Sequence, residues 1–180
     1  MTTALVIIDV QNALFQPTPT PYQAEEIIDK INGLTTTART AGVPVIWVLH
    51  ETPEQDIMRY QSTGWQLPLT LQVAATDRQL RKTTPDAFLH TPLQQWLQQD
   101  AVTELLICGY ATEFCVDTTV RSAAAKGFDV TLIADAHTSH DKPHASAAQI
   151  IQHHNTTLAN IRSFGVKIQS RPAAEIQFQR

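Results

Sequence analysis

Short apolar runs alternate along the chain with longer stretches in which apolar residues recur three and four positions apart. The short runs are continuous and rich in Val, Ile and Leu, which is typical of strands buried on both faces of a sheet. Four runs are well defined, at residues 4–10, 43–49, 103–109 and 128–134. Shorter runs at 79–82 and 166–168 predict two further strands.

The longer stretches between these runs have the spacing of amphipathic helices. Examples are Ile27, Ile31 and Leu34 early in the chain, and a later stretch that we expect to begin near Pro143 and to stop at Gly165. A strand followed by a helix, repeated, implies right-handed crossovers and a parallel sheet. The pattern predicts the α/β class: one doubly wound domain, a parallel sheet with helices on both faces.

Residues 51–87 interrupt this alternation. They contain Pro53, Gly64, Pro68 and Pro85 and have no sustained periodicity apart from the short run at 79–82. We expect this segment to be a long excursion that passes over the carboxyl ends of the strands, where doubly wound proteins bind their ligands.

Length and composition restrict the class of protein. With 180 residues and 43% hydrophobic content, we expect residues 1–180 to form one domain. The net charge of -4, with dispersed Lys and Arg, favours a small-molecule substrate and argues against nucleic acid or a membrane surface as a partner. No apolar run approaches the roughly 18 residues of a membrane-spanning helix, and the first residues do not resemble a signal peptide, so a cytoplasmic protein is predicted.

Asp9 follows the first predicted strand, where a carboxylate needs hydrogen bonds, a charged partner or a functional role. Two functions that often explain such an Asp are excluded by the residues that follow it. Position 11 holds Gln11, whereas a phosphatase of the haloacid dehalogenase type needs a second Asp there. The segment after the strand also lacks the glycines of a phosphate-binding turn.

The two cysteines are Cys108 and Cys115, which are too few for a disulfide framework or a thiolate zinc site. Cys108 lies inside a predicted strand, whereas Cys115 follows the turn "YATEFC" in the first turn of a predicted helix. We expect Thr112 to be the N-cap, and the helix start to favour a thiolate at Cys115. None of the seven histidines is placed against Cys115 by local spacing.

Lys82, in "RKTTPDAF", is a second group that favours an ionised thiol if it lies within several ångströms of it. The three segments "VIIDVQNALF", "RKTTPDAF" and "GYATEFCVDTTV" resemble, in order and spacing, the Asp, Lys and Cys motifs of the isochorismatase-like cysteine hydrolase superfamily. The resemblance extends over nearly the whole chain and implies a six-stranded parallel sheet with helices on both sides.

The resemblance also implies roles for individual residues. Cys115 matches the nucleophile, Asp9 the general acid and base, and Lys82 the lysine that holds and polarises both. A cis peptide from Tyr110 to Ala111 is implied, with the backbone amides of Ala111 and Cys115 forming an oxyanion hole. The expected reaction is cleavage of a C–N bond in a small amide, ureido or carbamoyl substrate through a thioester.

Several alternatives stay open at this level. Isochorismatase-type cleavage of a vinyl ether is the runner-up, and a non-catalytic or thiol-redox member of the fold is a further possibility. The segment after the second strand lacks the Asp-x-His spacing of nicotinamide-cleaving members, so no metal and no other cofactor are expected. Aromatic residues predicted to line the pocket are Phe15, Trp65 and Tyr110, and the family resemblance implies a homodimer or homotetramer.

Overall fold

The computed structural model describes residues 2–53 and 56–178. The strands are β1 (Thr3–Ile8), β2 (Val45–His50), β3 (Arg78–Lys82), β4 (Glu104–Tyr110), β5 (Asp129–Thr138) and β6 (Ile168–Arg171). The helices are α1 (Asn12–Phe15), α2 (Ala24–Thr40), α3 (Leu93–Gln99), α4 (Asp117–Ala125) and α5 (Ala147–Ala159). A π-helical turn at Thr112–Val116 precedes α4, and short 3₁₀ turns lie at Asp56–Met58 and Ala173–Glu175.

The six strands form one sheet in the order β3-β2-β1-β4-β5-β6, and every neighbouring pair is parallel. The chain first builds outward from β1 to β3 and then returns to the other side of β1 with β4. The strand order therefore reverses between β1 and β4, which creates a crevice outside their carboxyl ends. The predicted α/β class, with a six-stranded parallel sheet, is confirmed.

Two apolar clusters cover the two faces of the sheet. Successive residues of β1 alternate between them, with Val6 and Ile8 in one cluster and Leu5 and Ile7 in the other. The first cluster also takes side chains from α3, α4 and α5, and the second takes them from α2. Each fully buried aliphatic side chain contributes about 1.5–3 kcal/mol relative to its exposed state. Both faces are therefore core, which explains the continuous apolar runs in the sequence.

The predicted limits of the helix between Pro143 and Gly165 are wrong. α5 begins at Ala147 and ends at Ala159, inside the predicted span from Pro143 to Gly165. Ser146 is the N-cap, and it exchanges hydrogen bonds with Gln149 in a capping box. The capping box satisfies amides at the helix start, so it and not the proline ring defines where α5 begins. None of the helices in residues 2–53 and 56–178 has the length and apolar character that crossing a bilayer requires.

Gly109 is required where β4 passes β1 at the crevice. Its φ is 114°, and a Cβ at this position would overlap the backbone carbonyl oxygen of Ile8. We expect Gly109→Ala to destabilise the fold by about 3 kcal/mol, because the overlap is with backbone that cannot move aside. Urea denaturation monitored by circular dichroism measures the change.

Gly33→Ala is the matched control for this substitution. Gly33 lies within α2, and an added Cβ there meets nothing within 4 Å. The same change should therefore raise stability by about 0.5–1 kcal/mol through the higher helix propensity of alanine. Equal urea midpoints for the two variants would contradict this account of Gly109.

Candidate active site

Three predicted site residues meet at the carboxyl ends of three strands. Asp9 directly follows β1, Lys82 is the last residue of β3, and Cys115 lies in the turn after β4. Asp9 and Lys82 are each 2% exposed, and Cys115 is partly buried. Because parallel strands end at one edge of the sheet, residues far apart in sequence converge in the crevice.

The Lys82 ammonium group contacts three acceptor atoms. Nζ donates to Asp9 Oδ2 at 2.8 Å and to Cys115 Sγ at 3.3 Å, and it lies 3.1 Å from His50 Nδ1. An ammonium has three N–H donors and no acceptor, so His50 Nδ1 accepts the third hydrogen bond and carries no proton. All donors of Lys82 are therefore engaged by these three side chains.

His50 is neutral in this arrangement. Burial is the main factor that lowers its pKa, and the positive charge of Lys82 lowers it further. Asp9 opposes the shift, as does a hydrogen bond to the Thr84 backbone. With Nδ1 unprotonated, the ring proton is on Nε2. His50 is thus a fixed acceptor for the lysine.

Sequence reasoning did not assign a role to His50 because no local motif links it to the cysteine. The available signal was its position at the end of β2, the same topological place that drew attention to Asp9. Gln11, which is fully buried, holds the backbone of His50. Its Nε2 donates to the His50 carbonyl at 3.0 Å, and its Oε1 accepts from the His50 amide at 2.9 Å.

Asp9, His50 and Cys115 form a group that could supply one ligand atom each to a metal ion, all within 4.8 Å of one another. The Lys82 ammonium contacts the same three side chains. A metal ion and this ammonium cannot share the space, since two cations would face each other at bonding distance. The donor set therefore fits a buried lysine and does not fit a metal while Lys82 is in place.

The turn that carries Cys115 differs from the prediction. Thr112 is not an N-cap: Ala111 precedes the π-helical turn and no side chain caps it. The Thr112 hydroxyl instead lies 2.8 Å from His137 Nδ1. The peptide from Tyr110 to Ala111 is cis, as the family resemblance implies.

A buried chain of hydrogen bonds explains why the Thr112 side chain points toward His137 and not toward the helix amides. Asn155 Nδ2 donates to the Ala134 carbonyl, which leaves Asn155 Oδ1 to accept from His137 Nε2 at 2.9 Å. Burial lowers the pKa of His137 to about 4, so the ring is neutral and its Nδ1 accepts the Thr112 proton. Thr112 is therefore attached to β5 and α5 through His137.

The expectation that the helix start favours a thiolate at Cys115 is not supported either. Burial, followed by the negative charge of Asp9, raises the pKa of Cys115 from 9.0 to about 12, and Lys82 opposes this shift. The predicted advantage of a helix start is outweighed because the sulfur is desolvated and faces a carboxylate. The neutral thiol is the resting form near pH 7, and it needs a base to become a nucleophile.

This raised pKa predicts a steep pH dependence of thiol alkylation. At pH values below the pKa, each rise of one pH unit should increase the fraction of Cys115 present as thiolate about tenfold. The rate of alkylation by iodoacetamide should rise by the same factor. The rate at Cys115 should thus keep rising between pH 7 and pH 10, measured by peptide mass spectrometry. A plateau below pH 9 would show that the thiolate is already formed there.

A cavity of about 210 Å³ opens beside these groups. Its polar lining consists of Asp9, His50, Thr52 and Cys115, and its remaining lining consists of Leu14, Met58, Tyr110, Ala111 and Phe114. Of the aromatic residues predicted for the pocket, Tyr110 lines this cavity. Phe15 and Trp65 are buried and do not line the cavity; Phe15 packs in an edge arrangement with Tyr110, and Trp65 with Tyr60.

The family model described as the isochorismatase domain matches residues 3–168. The chain belongs to the isochorismatase family. A crystal structure of an isochorismatase family protein has 36% identity and a TM-score of 0.85, covering 93% of this chain and 96% of the other. A structure of an isochorismatase from Pseudomonas putida KT2440 has 28% identity and a TM-score of 0.86, covering 97% and 90%.

Curated members of the isochorismatase family are also similar to the chain. A streptothricin hydrolase of Streptomyces noursei is 34% identical over 142 residues, which are 79% of this chain and 51% of that protein. The chain thus spans about half the length of this relative. The uncharacterized family protein YddQ of Bacillus subtilis is 32% identical, covering 76% of this chain and 77% of its own length. Together these matches make the chain a member of a hydrolase family.

Proposed function

We propose that the protein is a cysteine hydrolase that cleaves a C–N bond of a small amide, ureido or carbamoyl substrate. The observation that carries this proposal is the position of the Lys82 ammonium, which touches both the Asp9 carboxylate and the Cys115 sulfur in a buried site. The similarity to the streptothricin hydrolase supports a hydrolase function. An N-carbamoylsarcosine amidase from Thermoplasma acidophilum shares the fold at 20% identity, with a TM-score of 0.81, covering 98% of this chain and 99% of the other.

The first step is proton transfer from the Cys115 thiol to Asp9. The raised pKa of Cys115 means that the proton is present at rest, and an Asp9 carboxylate oxygen lies within 4.8 Å of the sulfur. Lys82 stabilises the thiolate as it forms, because its N–H already points at the sulfur. The sulfur then attacks the carbonyl carbon of the substrate.

The second step expels the nitrogen. The C–N bond breaks, the departing nitrogen takes the proton from Asp9, and the acyl group stays on sulfur as a thioester. Water then attacks the thioester carbonyl and transfers a proton to Asp9, and this proton returns to Cys115 as the acid leaves. Ala111 and Cys115 both line the cavity, which is where their backbone amides must lie to stabilise the oxyanion.

Trapping the intermediate tests this function directly. Intact-protein mass spectrometry after incubation with a panel of simple amides, ureas and carbamoyl compounds should show an acyl adduct, and peptide mapping should place it on Cys115. The mass of the adduct identifies the acyl half of the substrate. Turnover of an amide with no adduct in rapid-quench samples, together with activity in a Cys115→Ala variant, would contradict the proposal.

The structure gives no support to a Cys108–Cys115 redox pair. Cys108 packs in the core cluster on one face of the sheet, and Cys115 packs against the cluster on the opposite face. A disulfide requires the two Cβ atoms to point toward each other. Both cysteines are free thiols.

A further inference from the structure

The polar groups of the active-site cavity are unequal in what they offer a ligand. Lys82 directs its donors to Asp9, His50 and Cys115, and its side chain is 0% exposed. His50 is neutral because burial and Lys82 lower its pKa. Among the cavity-lining residues of the described chain, Asp9 is thus the one charged side chain. No lining residue in the described part of the chain offers a free cationic donor to a substrate carboxylate.

The cationic residue next to Lys82 in the sequence is Arg81, and it pairs with residues outside the cavity lining. Arg81 makes two hydrogen bonds to Glu51, at 2.8 and 3.0 Å, and its guanidinium lies 3.6 Å from the centre of the Tyr60 ring. Its side chain points away from that of Lys82, because successive residues of a strand face opposite sides of the sheet. A negative substrate group in the cavity would therefore lose its hydration without gaining a free cationic donor from the lining residues, because Asp9, His50 and Cys115 already engage the donors of Lys82.

Thr52 provides a neutral recognition group. It lines the cavity, and its Oγ1 is buried with no hydrogen-bond partner within residues 2–53 and 56–178. A buried hydroxyl without a partner costs free energy unless a ligand or water satisfies it. The rest of the lining is largely apolar, with Leu14, Met58 and Phe114 around it. A small ligand with one polar atom near Thr52 and an apolar body matches this lining.

We infer that the site selects small uncharged amides over their carboxylate analogues, and that the Thr52 hydroxyl binds a polar atom of the substrate. This inference rests on the proposed function, since it names the substrate class of the same site. It separates amides that carry no charge from ureido acids, carbamoyl amino acids and dicarboxylates such as isochorismate, which all present an anion.

Alkylation of Cys115 tests the charge selection without any turnover. Iodoacetamide and iodoacetate have nearly the same size and differ in charge. The preference of Cys115 for iodoacetamide should exceed that of N-acetylcysteine by about tenfold or more, because the iodoacetate carboxylate must also lose its hydration beside lining residues that offer it no free cationic donor. Peptide mass spectrometry separates Cys115 from the buried Cys108. A preference equal to that of N-acetylcysteine would overturn the inference.

Binding to the Cys115→Ala variant tests Thr52. Calorimetry should show that glutaramide binds and that glutaramate binds at least about tenfold more weakly. Adding Thr52→Val, which removes the hydroxyl at nearly constant size, should weaken glutaramide binding about fivefold to tenfold, whereas Thr52→Ser should retain it. Equal binding of glutaramide by the Val and Ser variants would remove Thr52 from the substrate contacts.

These outcomes distinguish the inference from the proposed function. If glutaramide binds but the wild-type protein forms no acyl adduct with it, the proposed hydrolysis fails and the charge selection stands. If the wild-type protein hydrolyses glutaramate as fast as glutaramide, the charge selection fails and the hydrolase function stands.

Discussion

Replacing Cys115 with alanine should lower kcat for any amide substrate by about 10⁴-fold or more, because the step that forms the thioester then has no nucleophile. Cys115→Ser should be nearly as inactive, since a hydroxyl is a poorer nucleophile and the Lys82 ammonium is placed for a sulfur atom at 3.3 Å. Binding should survive in both variants, because the other residues that line the cavity are unchanged. Initial rates and calorimetry on the same preparations separate chemistry from binding.

Cys108→Ala is the matched control for this loss. Cys108 is 0% exposed inside β4 and packs on the far side of the sheet from Cys115. We expect this variant to lose some stability through the small cavity that it creates, and to keep its kcat. Activity that falls equally in both variants would show that the effect comes from the fold and not from the thiol.

Lys82→Met should have the largest effect on stability, lowering the free energy of unfolding by about 3–5 kcal/mol. The substitution leaves the Asp9 carboxylate, 2% exposed, without its ion-pair partner. The double variant Asp9→Asn/Lys82→Met removes both charges and should recover most of this loss, since a buried pair is often no more stabilising than a neutral pair of similar size. Urea denaturation of the wild type, Lys82→Met, Asp9→Asn and the double variant forms a double-mutant cycle.

The double variant also separates stability from function. It should fold nearly as well as the wild type and have no measurable hydrolysis, because both the base and the lysine are gone. Arg81→Met is the control, because it removes a positive charge at the neighbouring position. The ion pair of Arg81 with Glu51 is partly exposed, so this variant should lose far less free energy of unfolding than Lys82→Met. A double variant as unstable as Lys82→Met would contradict the charge-pair explanation.

The sequence pattern predicts the parallel sheet well because its strands are buried on both faces and therefore read as continuous apolar runs. Strand topology also drew attention to Asp9, whereas Lys82 and the joint roles of Asp9, Lys82 and Cys115 were predicted from their resemblance to the family motifs. His50 shows the limit of motif spacing. It stands at the end of β2 like the others, but its role depends on the direction of the Lys82 side chain, which no local pattern encodes.

The cavity walls were harder to predict. Thr52 and Met58 lie in the excursion between β2 and β3, where the sequence has no period, so which side chains face inward depends on the tertiary path. The direction of the pKa shift of Cys115 could not be predicted for another reason. The position at a helix start is a local feature, whereas burial and the facing Asp9 carboxylate are tertiary features, and here they dominate.

The ion pair of Lys82 and Asp9 beside a neutral thiol has a consequence for the energetics of the proposed reaction. At rest the three groups sum to zero net charge, and they still sum to zero after the thiol proton has moved to Asp9. The same holds when the proton passes to the departing nitrogen and when water supplies a new one. The site therefore relocates charge over a few ångströms in its low-dielectric surroundings and never has to create it there.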